Sequence, residues 1–146
     1  MRRMSLPNFL FHVTTKKSWG KQVQLTPRKT GKNRAIGEPE IKRICVAPTI
    51  SRCFIAIPYE ETETYYIYRT LRKVQGYYPY DVFDSRITRE KWLISPISFI
   101  KIGVVPNHLL KLFPEESNLE YEKQRKSLKV IREILKSNTD IDHRYI

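Results

Sequence analysis

The sequence has few of the residues that mark several common classes of protein. It has two cysteines, Cys45 and Cys53, and three histidines, and the spacing of the cysteines resembles no metal site. Its five glycines match neither of the usual glycine-rich phosphate-binding loops. No apolar run is long enough to span a membrane, and no secretory signal is recognised. We therefore expect a cytoplasmic protein with reduced thiols, no metal and no membrane contact.

Acidic residues are absent before Glu38, whereas nine cations stand there. The whole chain has a net charge of +12. A one-sided block of charge attracts phosphates or acidic protein surfaces over about 8–10 Å at physiological salt. A nucleic acid or an acidic protein is therefore the expected partner, although a solvated face that only maintains solubility has the same pattern. The candidate polyanion-binding residues, called the basic block below, are Lys16, Lys17, Lys21, Arg28, Lys29, Lys32 and Arg34.

The hydrophobic pattern predicts one domain, residues 1–146, made mostly of short strands. The predicted strands cover residues 8–14, 41–47, 64–74, 81–84, 90–95 and 98–105. Between the first two strands, residues 16–40 are predicted to form a long loop with at most a short strand at 23–25. We expect residues 16–37 to be mobile or lid-like, because they have few apolar anchors.

Two helices complete the prediction. Thr49 is a candidate cap for a short helix over residues 50–57. Apolar residues at helical spacing predict a C-terminal helix over residues 117–137, with Asn118 as its cap. Strands that do not alternate regularly with helices indicate an α+β domain of compact, mostly antiparallel sheets.

The first predicted strand ends in an imidazole and two hydroxyls, in the stretch NFLFHVTT at residues 8–15. A two-histidine phosphoesterase needs a second His-x-Thr or His-x-Ser element, and His108 and His143 lack it. A second hypothesis pairs His12 with Glu90, at the start of a later strand. Such a pair facing across a cleft could bind a ribose and stabilise positive charge at its anomeric carbon. An ordinary strand end and a surface carboxylate remain the alternatives.

The order of three short motifs resembles the ADP-ribosyltransferase-like fold, and most of all small uncharacterised phage and prophage proteins with that fold. The motifs are FHVT at 11–14, VAPTI at 46–50 and EKWLISPI at 90–97. They are similar to the family's YHxT-like strand end, its APS-like step before a short helix, and its acidic residue close to an aromatic one. The resemblance covers about residues 8–105, the core of the predicted domain, and leaves out the C-terminal helix.

The resemblance implies an enzyme that transfers ADP-ribose from NAD to a macromolecule. It implies that His12 contacts a ribose of NAD, that Glu90 holds the 2′-hydroxyl of the nicotinamide ribose and stabilises an oxocarbenium-like transition state, and that Thr14 hydrogen-bonds nearby. The other residues implied at the NAD site are Cys45, Thr49 and Trp92.

The sequence departs from the family pattern at two positions. Cys45 stands where many members have a tyrosine that stacks on nicotinamide, and Lys91 separates Glu90 from Trp92. The alternative function is therefore a non-catalytic protein on the same fold, which grips a nucleic acid, a nucleotide or an acidic protein through its basic face. Six tyrosines are either a stacking platform for bases or ordinary strand residues: Tyr65, Tyr66, Tyr68, Tyr77, Tyr78 and Tyr80.

Overall fold

A four-stranded antiparallel sheet is the largest element of the fold, in a computed structural model that describes residues 3–29, 41–57, 59–79, 88–114 and 121–146. Its strands are β1 (Phe11–Thr14), β2 (Gln22–Leu25), β4 (Tyr65–Thr70) and β6 (Ile97–Val105), in the order β1-β4-β6-β2. A separate antiparallel pair consists of β3 (Ile44–Val46) and β5 (Lys91–Leu93). The two sheets meet where Phe11 and Ala47 exchange main-chain hydrogen bonds of 2.9 and 3.0 Å.

In the described ranges three helices accompany the sheets: α1 (Ile50–Ala56), α2 (Asn107–Leu110) and α3 (Tyr121–Asn138). The hydroxyl of Thr49 accepts a hydrogen bond from the main-chain nitrogen of Arg52, so the predicted cap of α1 is confirmed. Short 3₁₀ turns also occur at Lys17–Trp19 and His143–Tyr145. The α+β class and the C-terminal helix are confirmed, whereas the short helix α2 was not predicted.

The two faces of the four-stranded sheet bury different hydrophobic clusters. On one face, Phe11 and Ile67 pack in one cluster with Phe54 of α1 and with Ile131 and Leu135 of α3. The other cluster joins the opposite side of the sheet to β3 and β5, and it contains Leu10, Ile44, Val46, Tyr68, Leu93 and Phe99. Side chains alternate along a strand. Phe11 and Val13 therefore pack under the helices, while His12 between them points to the β3–β5 side.

The segment after β1 is more ordered than a loop. The predicted short strand is present as β2, which pairs with β6 from Gln22↔Ile100 to Leu25↔Ile97. Arg28 also exchanges main-chain hydrogen bonds with Arg43. The long loop predicted over residues 16–40 therefore contains the short strand expected at 23–25, and this strand begins one residue earlier, at Gln22. Residues 30–40 of that segment, the strand predicted at 81–84 and the cap predicted at Asn118 lie outside the described residues.

Candidate functional site

A cleft with a volume of about 570 Å³ opens on the β3–β5 side of the sheet. It lies between the end of β1, the 3₁₀ turn after it, β2 and β3. A cleft of this size is in the range of small-molecule sites. Its walls combine an imidazole, an indole, apolar strand residues and three guanidinium or ammonium groups. The lining residues are His12, Trp19, Val23, Gln24, Leu25, Thr26, Arg28, Lys29, Arg43, Ile44 and Cys45.

His12 is fixed in the wall of this cleft by a hydrogen bond to the neighbouring strand. Its Nδ1 lies 2.8 Å from the main-chain oxygen of Cys45. A carbonyl oxygen only accepts hydrogen bonds, so Nδ1 carries the proton and Nε2 of the neutral ring is an acceptor. Burial lowers the pKa of His12 below its usual 6.5, the charges of Arg28 and Lys16 lower it further, and the hydrogen bond to Cys45 opposes them. The ring is therefore neutral at pH 7 and can accept a hydrogen bond from a hydroxyl group.

Trp19 supplies the aromatic surface of the cleft. Its ring stacks on the His12 ring, with centroids 5.7 Å apart and planes at 22°. The edge of Tyr68 supports it from the core, and the Lys16 ammonium lies 5.8 Å from its centroid. Trp19 falls in the predicted loop of residues 16–40 and is not among the predicted site residues. The sequence signal that could have identified Trp19 is its position, because it is an aromatic residue one short turn after the candidate His12.

Glu90 and His12 line a second, smaller pocket of about 60 Å³ that adjoins the cleft. The two pockets share His12 and Cys45 as walls. The rest of the small pocket is apolar and comes from β1, β3 and α1. The structure therefore brings the two residues together at one pocket, as the sequence analysis predicted, although β4 and the whole of α1 lie between them in the chain.

Glu90 is held by unusual backbone geometry. Arg89 before it has a φ of 53°, in the left-handed region that few non-glycine residues adopt. The buried Thr88 hydroxyl accepts a hydrogen bond of 3.2 Å from the Glu90 nitrogen, and the Lys91 ammonium donates one of 2.8 Å to the Arg89 carbonyl. Strained residues held by their surroundings occur often at functional sites. The sequence gives no indication that Arg89 and Lys91 hold Glu90 in place.

Cys45 lines both pockets, and its surroundings favour the protonated thiol. Burial, together with the neighbouring Glu90 carboxylate, raises the pKa of its thiol to about 12, and the nearby Arg43 opposes this shift. The thiolate is the reactive form of cysteine. Cys45 is therefore a small, protonated wall residue at the position where the resemblance leads one to expect a tyrosine.

The remaining residues of the expected NAD site lie outside the two pockets. Thr14 is buried, and its hydroxyl accepts a hydrogen bond from the Lys16 nitrogen. Thr49 caps α1. Trp92 is fully buried, with the Arg43 guanidinium 3.9 Å from its ring centroid. These three residues have structural contacts, and none of them lines either pocket.

The basic block divides between the cleft and the rest of the surface. Arg28 and Lys29 line the cleft, and Lys16 lies beside Trp19. Lys17 and Lys21 are exposed away from its walls. Lys32 and Arg34 lie outside the described residues. Arg43, a buried cation that the sequence analysis placed in a strand without a role, also lines the cleft.

The tyrosines of β4 contribute to the core more than to any platform. Tyr65 and Tyr68 are buried, and the Tyr68 hydroxyl donates a hydrogen bond to the Gly20 carbonyl. Tyr66, Tyr77 and Tyr78 are half-buried, and Tyr80 lies outside the described residues. The alternative in which the cluster consists of ordinary strand residues therefore fits Tyr65 and Tyr68.

Neither a cluster of metal-ligating side chains nor a membrane-spanning helix occurs in the described part of the chain. No group of three or more His, Cys, Asp or Glu side chains there has an arrangement that could hold a metal ion. No helix in those ranges combines the length and the apolar character that crossing a membrane requires.

Comparisons with known proteins identified no relative of this chain. No family model matches the chain, and no match was found among curated proteins or solved structures. The side chains of the cleft and the pocket are therefore the basis for proposing a function.

Proposed function

We propose that the cleft binds NAD and that the protein transfers ADP-ribose from NAD to a macromolecular target. The observation that carries this proposal is the convergence of His12 and Glu90 on one pocket beside a cationic, aromatic cleft. A histidine and a carboxylate at one pocket are the pair that the motif resemblance implies for a ribose. The donor set fits such a ligand, because cations bind phosphates and an aromatic ring stacks on a base.

The residues have distinct roles in this proposal. Arg28 and Lys29 bind the phosphates, and the face of Trp19 packs against a base. The neutral His12 accepts a hydrogen bond from a ribose hydroxyl at Nε2, the nitrogen left free by the Cys45 contact. NAD supplies an activated glycosidic bond, which breaks as nicotinamide leaves with the electron pair and the acceptor, losing a proton, bonds to the same carbon. The Glu90 carboxylate binds the 2′-hydroxyl and stabilises the positive charge that develops at that carbon.

Binding and chemistry can be tested separately. Calorimetry with NAD and with ADP-ribose measures binding, and nicotinamide release with water as acceptor measures bond cleavage. We expect Glu90→Gln to retain binding within a few-fold and to lose about 10²–10³ in the rate of nicotinamide release. We expect His12→Ala to weaken binding. The exposed Glu63→Gln and His108→Ala are matched controls that change neither quantity. Absence of binding to both ligands would overturn the proposal.

The second candidate function is non-catalytic nucleotide binding on the same scaffold. The specific observation that favours it is Cys45, whose protonated thiol takes the place of the stacking tyrosine. In this case the wild type binds NAD or ADP-ribose but releases no nicotinamide, and Glu90→Gln leaves affinity unchanged. The same two assays therefore distinguish the candidates.

A further inference from the structure

Helix α3 has a row of four cations along one face. Arg125, Lys129, Arg132 and Lys136 follow one another at intervals of four, three and four residues, which places them on one side of a helix with 3.6 residues per turn. At a rise of 1.5 Å per residue the row is about 16 Å long. Arg125, Lys129 and Arg132 are exposed, and Lys136 is half-buried. These four residues are called the cationic row.

The core fixes the direction in which the cationic row points. Ile131 and Leu135 of the same helix are fully buried, and Leu128 and Ile134 pack against the same cluster. Rotation of the helix about its axis would expose these apolar side chains to water, which is unfavourable. The cationic row therefore stays at the surface as a preformed line of charge.

The stability of the helix does not account for this row of cations. Like charges four residues apart destabilise a helix. The helix dipole favours a cation only in the last turn, where Lys136 lies. Over the part of the chain that the structure describes, Lys129, Arg132 and Lys136 form no ion pair. The charges of Lys129, Arg132 and Lys136 are therefore available to an anionic partner.

We propose that the cationic row binds the phosphate backbone of a nucleic-acid duplex. A basic chain, here with an isoelectric point of about 9.8, whose cations cluster along a helix has the electrostatic character of a nucleic-acid-binding protein. A duplex presents regular lines of phosphates to such a row, and the guanidinium of Arg132 can donate two parallel hydrogen bonds to one phosphate. Contacts of this kind do not read bases, so the binding is independent of sequence.

An anionic membrane fits the same surface less well. Helices that lie in a membrane interface insert an apolar face between the lipids. In α3 that face contains Ile131 and Leu135, which are already buried in the protein core. Only the charged side of α3 is exposed to a partner. The phosphate backbone of a duplex can bind to cations without an apolar face.

The proposed surface is separate from the cleft. Phe11 and Val13 of β1 pack in the cluster that α3 joins, whereas His12 lies in the wall of the cleft on the other side of the same strand. A duplex on the cationic row does not cover the cleft. The inference therefore does not depend on the proposed reaction with NAD.

The test is a salt titration of binding to a labelled 20-base-pair DNA duplex of arbitrary sequence, followed by fluorescence anisotropy. Wild type is compared with a row variant, Lys129→Gln with Arg132→Gln. The matched control is Arg72→Gln with Lys111→Gln, which removes the same charge from exposed positions outside the row and the basic block. Circular dichroism of each variant establishes that α3 remains folded.

We expect wild type to bind with a steep salt dependence. The row variant should lower the slope of log affinity against log salt by about 1.8, because each lost phosphate contact removes about 0.9. The control should retain the wild-type slope. The proposal is overturned if both double variants weaken binding equally, if the row variant binds as wild type does, or if wild type binds only vesicles of anionic lipid or an acidic protein and no duplex.

Discussion

The Nδ1 atom of His12 lies 2.8 Å from the main-chain oxygen of Cys45, so a side chain of one sheet is bonded to the backbone of the other. Because β1 and β3 belong to different sheets, the imidazole depends on their relative position. The contact fixes the tautomer, and the buried, cationic surroundings keep the ring neutral. The neutral ring has two measurable consequences. One is the contribution of His12 to ligand binding proposed above, and the other is its effect on the free energy of unfolding.

The first prediction is that His12 destabilises the fold in acid. Its pKa in the folded protein is below the ordinary value of 6.5. As the pH falls through about 6.5, the unfolded chain takes up a proton here before the folded protein does, so the free energy of unfolding decreases. His12→Gln should remove this part of the pH dependence in urea unfolding between about pH 7.5 and 5.5. The exposed His108→Gln is the control, and an unchanged dependence in His12→Gln would contradict the assignment.

The second prediction concerns Lys91, which is buried at the start of β5. Burial, together with the charges of Arg89 and Arg52, lowers the pKa of its ammonium from 10.5 to about 8. Between about pH 8 and 10.5 the unfolded chain holds more protons than the folded protein, so the free energy of unfolding rises with pH across this window.

Lys91→Met should abolish this rise, because it removes the titrating group and keeps a similar apolar stem. Denaturant unfolding at several pH values in the window gives the slope directly. The exposed Lys111→Met is the matched control. If Lys91→Met and wild type have the same slope, the ammonium is not buried in solution.

Local chemistry made several elements predictable from the sequence. Thr49 before an apolar helical pattern identified both the start and the cap of α1, because capping needs only neighbouring residues. The alternating tyrosines and isoleucine identified β4, and the helical spacing of Ile131 and Leu135 identified α3. Each of these signals is complete within a few residues.

The parts of the site that sequence did not predict depend on contacts between distant segments. Trp19 became a cleft residue because the turn after β1 folds its ring onto His12. Arg43 lines the cleft because β3 lies beside the segment around Arg28. The left-handed Arg89 has no signal at all, since arginine carries no preference for that region, whereas Gly or Asn would have indicated it.

The third prediction tests the backbone of Arg89. Valine tolerates a φ of 53° poorly because its β-branch clashes with the backbone, so Arg89→Val should lower the free energy of unfolding by about 1–3 kcal/mol. Arg89→Gly relieves the same strain but adds freedom to the unfolded chain, and the two effects should cancel to within about 1 kcal/mol. Urea unfolding measures both, with Arg72→Val as an exposed control. Equal effects of Val and Gly at this position would refute the left-handed geometry.

The last prediction tests a close approach between β6 and the segment after α3. Gly103 lies opposite Ile67 at the bulge of the β4–β6 pair, and a Cβ atom there would lie 2.5 Å from Cγ1 of the buried Ile141. Side chains cannot pack at that distance, so one of the two segments must move.

Gly103→Ala should therefore lower the free energy of unfolding by about 1–3 kcal/mol, despite the entropy that alanine removes from the unfolded chain. Ile141→Ala also destabilises, because it removes buried side-chain volume. The loss in the double variant should be smaller than the sum of the two single losses by more than about 0.5 kcal/mol, because the smaller residue makes room for the new methyl group. Thermal and urea unfolding of the four proteins complete this cycle. Strict additivity would mean that Gly103 and Ile141 do not touch, and that the C-terminal segment packs against a different part of the sheet.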